Sequence, residues 1–163
     1  MISTVVGVSN AQAADVRSPE SRSENAAIVK RVPESVTTRL DTTRVKEVGA
    51  QGCWITEAWF RAVTVLGATF YKFHHPADWC QDGSWVLGVH FRAHWFSEVS
   101  ATAYPRSVES DYVAPSPSWE VTSFKKNLVE NCTFQGACIS ATRPWVKLIL
   151  RGNAIWSYEA GQN

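Results

Sequence analysis

The sequence predicts an all-β fold: a small, disulfide-stapled antiparallel β-sandwich or barrel behind a disordered N-terminal arm. Three observations lead there. Every Trp, Phe and Tyr among the 163 residues lies after Gly49. In that part, aromatic and β-branched residues recur in short runs, several with the period-two alternation of a half-buried strand. The same part holds all four cysteines, an even number with no Cys-x-x-Cys pair and no zinc-like Cys/His spacing.

The arm comes first. Residues 1–14 form a partial signal-peptide-like segment. Val5, Val6 and Val8 make a short apolar patch, and Ala11-Gln12-Ala13 is a small-x-small site of the kind signal peptidase cuts. Residues 15–48 are rich in Ser, Thr, Arg and Glu, and their charges nearly cancel. Such a stretch buries too little apolar surface to offset its chain entropy, so it is expected to be a disordered linker or propeptide. Ser23 could cap a short helix that Pro33 would stop, over about Ser23–Val32.

The β domain spans 49–163. Ile55–Val65 reads as its first strand and Ala68–His75 as the second, with Pro76 ending it or placing it at an edge. Asp82-Gly83 is a turn signal. Trp85–Ser97 then alternates, with Trp85, Leu87, Val89, Phe91, Ala93 and Trp95 on an apolar face that should meet the core. Pro105, Pro115 and Pro117 mark a loop over Tyr104–Ser118. Trp119–Glu130 resumes the strand pattern, although Lys125-Lys126 could signal a turn or short helix. Trp145–Leu150 and Ala154–Tyr158 flank Arg151-Gly152-Asn153, a hairpin turn. In all, about six short strands are expected.

Four cysteines allow three connectivities. Nearest pairing, Cys53 with Cys80 and Cys132 with Cys138, is the simplest. The longer bridge would stabilise by about 3–4 kcal/mol on the chain-entropy model. Bridging and the N-terminal pattern together predict a secreted, extracellular protein.

Composition excludes several functions. A net charge of +1 does not suit nucleic-acid binding by net charge. No stretch approaches the roughly 18 apolar residues of a transmembrane span. There is no phosphate-binding loop, dinucleotide fingerprint or Gly-x-Ser-x-Gly elbow, so no catalytic residue, cofactor or metal site is assigned. His90 and His94 would lie about 13 Å apart on a strand, too far to share an ion. His74 and His75 would point to opposite faces. Nine domain carboxylates leave a carbohydrate hydrolase open as an alternative. The leading expectation is a non-catalytic binding module for a glycan or protein surface. Its binding residues would be Trp79 and Trp85 around the turn, with Tyr104 and Trp119 bordering the proline loop. A secreted inhibitor presenting that loop is the third reading.

Two stretches resemble small secreted proteins of actinomycetes. One is Tyr71-Lys72-Phe73-His74 with Trp79-Cys80-Gln81-Asp82-Gly83. The other runs from Cys132 and Gly136-Ala137-Cys138-Ile139 through Pro144-Trp145-Val146 to Trp156-Ser157-Tyr158. The resemblance covers roughly residues 53–160. It implies secretion, bridging and a β fold, and brings no activity with it.

Overall fold

The computed structural model describes residues 30–33, 37–40 and 49–163. It is a sandwich of two antiparallel sheets, not a closed barrel. The first sheet is built on β3 (Gly52–Val63) and β4 (Thr69–Gln81). Beyond β4 lie β5 (Val86–Arg92) and β6 (Trp95–Ser97). On the other side of β3 lie β1 (Lys30–Pro33) and β2 (Thr37–Leu40). The second sheet runs β11 (Trp156–Gln162), β10 (Pro144–Arg151), β8 (Glu120–Cys132) and β7 (Ala103–Val113), with β9 (Cys138–Thr142) also paired to β8.

Alternation along the central strands makes the core. Ala58, Phe60, Ala62, Tyr71, Phe73 and Trp79 face Val121, Val129, Val146, Leu148 and Leu150 across the sandwich, all buried. Each large apolar side chain so placed contributes about 1.5–3 kcal/mol. Tyr71 keeps its hydroxyl satisfied against Thr142 Oγ1 at 2.9 Å, and burial pushes its pKa up to about 12. The bridges are Cys53–Cys80 and Cys132–Cys138, the nearest-neighbour pairing.

Several expectations need correction. The arm's expected lack of structure does not extend to β1 and β2, which add eight residues to the edge of β3, and Lys30–Val32 are strand where a helix was expected to end. The signal-like segment 1–14 and the rest of the arm lie outside the described residues. β4 does not stop at Pro76. It runs through that proline to Gln81, between β3 and β5. The Pro76 carbonyl accepts from the Ala93 N–H at 3.3 Å. In an extended strand the nitrogen of a residue points the same way as its carbonyl. The missing N–H of Pro76 therefore faces the break between β5 and β6, and no ladder bond is lost there.

Trp85–Ser97 is not one strand. Register shifts opposite Asp78/Trp79 and Cys80/Gln81 each reverse the alternation. Trp85, Phe91 and Trp95 consequently face solvent, whereas Val86 is buried and Phe96 packs on the core. The supposed loop Tyr104–Ser118 is mostly β7, an edge strand whose irregular register begins at Pro105. Lys125-Lys126 lies inside β8.

Three hairpins share one geometry. In each, a backbone turn is closed by an N–H to the carbonyl three residues back, and the donor sits at positive φ. The donors are Gly67 (φ 84°), Gly136 (φ 88°) and Ala154 (φ 63°). The first two hairpins cap one end of the sandwich, here the hairpin end. The third caps the other, the junction end.

Candidate functional site

At the junction end three connections meet. Val86 N–H donates to Ser118 O at 2.8 Å, and Ser118 N–H returns a bond to Val86 O at 3.1 Å. Gly152 N–H donates to Trp119 O at 2.9 Å. Gly152 is buried, and any Cβ there would overlap the backbone of Ser84 and Trp85, so only glycine lets the β10–β11 hairpin seat against the β4–β5 turn. Asp82 Oδ1 accepts the N–H of Ser84 at 2.9 Å and of Trp85 at 2.7 Å, fixing that turn. These bonds also hold the Asp82 carboxyl below its usual range.

Trp85 and Trp119 flank this junction and are 50% and 47% exposed, with Ile155 beside them on the hairpin. The structure thus brings together two of the four expected binding residues. Trp79 is excluded, because it is fully buried with its indole N–H on Thr56 Oγ1 at 3.0 Å. Tyr104 is exposed but pairs with Glu130 near the far end of β8, at the hairpin end, and lies under the Arg106 guanidinium.

A second arrangement lies inside the sandwich, on the side of β5 and β7. His75 Nδ1 faces the Ala93 carbonyl at 2.9 Å and must donate to it, so Nε2 accepts from Ser123 Oγ at 2.8 Å. Burial pushes the His75 pKa down to about 4, with the Arg92 and Lys125 charges acting in the same direction. Arg92 Nε donates to Ser123 Oγ at 2.8 Å, and its guanidinium meets Asp111 at 2.5 Å. Lys125, almost wholly buried, closes on the other oxygen of Asp111. The two cations hold Asp111 below the usual carboxylate range although burial opposes them. Every hydrogen bond here ends within the cluster or on backbone, the pattern of a structural network.

The third arrangement is on the outer face of the first sheet, where His74 is stacked between Trp59 and Trp95. His74 Nδ1 lies 2.7 Å from Glu57 Oε1, and Nε2 lies 2.7 Å from Ser97 Oγ. The sequence hid this grouping, because its members come from β3, β4 and β6: Trp59 and Trp95 sit directly opposite His74 in the register, and Glu57 and Ser97 reach it on the diagonals. On the outer face of the second sheet, Phe124 and Trp145 floor a shallow groove of about 340 Å³ edged by Lys126, Lys147 and Glu159. It too had no sequence signal.

Most domain carboxylates are held by basic groups: Glu98 by Lys72, Glu109 by Arg143, Glu120 by Arg151, Glu130 by Arg106 and Glu159 by Lys147. That distribution does not favour a two-carboxylate glycosidase. Glu130 also adjoins Cys132 and Cys138, but their bridge leaves no thiolate for a metal. Among the described residues no helix is long and apolar enough to cross a membrane. No protein-family model, curated protein or solved structure matches the chain.

Proposed function

We propose that this chain is an extracellular binding module whose junction end stacks on an extended sugar polymer. The observation that carries the reading is the pair Trp85 and Trp119, half exposed on a junction locked by backbone hydrogen bonds. Indole faces left in water are a standing cost that sugar C–H faces relieve, while the indole N–H stays hydrated. A fixed backbone also reduces the ordering entropy lost on binding. The two bridges suit an oxidising compartment. An inhibitory role has less support, since the segment meant to protrude is largely strand β7.

Retention on insoluble polysaccharides and a glycan array test the proposal. Trp85→Ala and Trp119→Ala should each weaken binding about tenfold or more, with unchanged near-UV circular dichroism. Variants that bind like the parent, or a parent that retains no glycan, would overturn it.

A further inference from the structure

We propose that Ser97, His74 and Glu57 form a hydrolytic site for carboxylic esters on the outer face of the first sheet. This goes beyond glycan binding and uses a different part of the molecule.

An ionised Glu57 can only accept, so His74 Nδ1 carries the hydrogen of the 2.7 Å contact. In the neutral imidazole Nε2 is then an acceptor, and Ser97 Oγ–H donates to it across 2.7 Å. Nucleophile, base and orienting carboxylate are therefore linked in the order acyl transfer requires. The ring cannot swing freely. Trp59 stacks on it at 5.6 Å and 27°, and Trp95 at 5.2 Å and 12°. Ser97 is partly exposed, and the following residue, Glu98, has a φ of 50°, an unusual backbone for a non-glycine residue. Lys72 stands opposite Ser97 in the register, with its ammonium 2.7 Å from Glu98 Oε1.

In the reaction, Ser97 Oγ adds to the ester carbonyl as its proton passes to His74 Nε2. Collapse of the tetrahedral adduct breaks the C–O bond, and the alcohol leaves with that proton. Water, giving a proton to Nε2, then attacks the acyl-serine and releases the carboxylic acid, returning the proton to Ser97. The site lies on a sheet face, and Trp95 beside it is 42% exposed, which suits an ester displayed on a larger molecule with an apolar or aromatic group next to the carbonyl.

The test uses the oxidised full chain and a fluorophosphonate probe, with the labelled peptide mapped by mass spectrometry. Labelling at Ser97 is expected, with none in Ser97→Ala and about 100-fold slower reaction in His74→Gln. Glu57 acts through His74 and is a positioning residue. Glu57→Gln should slow inactivation about tenfold while leaving the probe's initial affinity unchanged. Absence of labelling in the parent, labelling that survives Ser97→Ala, or equal rates in a folded His74→Gln variant would overturn the proposal. Should His74→Gln not fold, equal inactivation rates in Glu57→Gln would overturn it alone.

Discussion

The two ends of the sandwich are built by different rules. At the hairpin end, Gly67 and Gly136 each occupy the positive-φ position of a self-contained turn, with open space around them. At the junction end the same position in the third hairpin is Ala154, and three connections from both sheets bond to one another. One end is a pair of independent tips, the other a single interlocked surface that tolerates a strained residue. Strain of this kind persists where surrounding structure over-determines the backbone, and such places are often functional.

The bridges offer the largest contrast. Cys53–Cys80 spans 27 residues near the junction end, and Cys132–Cys138 spans 6 at the hairpin end. Replacing the first pair by alanine should cost about 3–4 kcal/mol and the second about 2 kcal/mol, measured by urea unfolding. Equal costs would show that loop length does not distinguish the ends.

Gly152→Ala should cost about 3 kcal/mol or more, because the added carbon meets backbone and not a movable side chain. It should also abolish binding through Trp85. A neutral result would mean that the junction yields easily.

Acid tests the interior that the two ends share. The folded His75 pKa of about 4 lies below its ordinary 6.5, so the unfolded chain takes up this proton first as pH falls. The contribution is complete above pH 6.5 and is lost progressively down to pH 4, by about 3 kcal/mol. Stability flat over that window would show that His75 is solvated.

The smallest effects separate the turns. Gly67→Ala and Gly136→Ala should each destabilise by about 1 kcal/mol, and Ala154→Gly should stabilise by about 1 kcal/mol. Differential scanning calorimetry reads all three. Loss of stability in Ala154→Gly would remove the claim of strain at the junction.

Much of this was legible in the sequence because period-two patterning and turn chemistry are local. β10 and β11 around Gly152, β8, and the opposed faces of His74 and His75 follow from such signals. The bridges followed from proximity along the chain. What failed was non-local. Trp85, Phe91 and Trp95 changed faces while Val89, between the two register shifts against β4, kept to the core, and alternation along β5 alone does not reveal such shifts. Pro76 and Pro105 read as breakers, yet neither position requires the absent N–H for its strand to continue. The Ser97–His74–Glu57 grouping depends on three strands aligning, a property of the register and not of any one segment.

The pairing of β1 and β2 with β3 has a consequence for the fate of the molecule in a protease-rich setting. Those eight residues occupy the outer edge of a twelve-residue strand. Clipping the chain ahead of Gly49 would bare a row of amide hydrogens and carbonyls that a second molecule could zip onto. Processing of the arm would then leave a self-adhesive edge, detectable as growth in light-scattering mass after limited digestion.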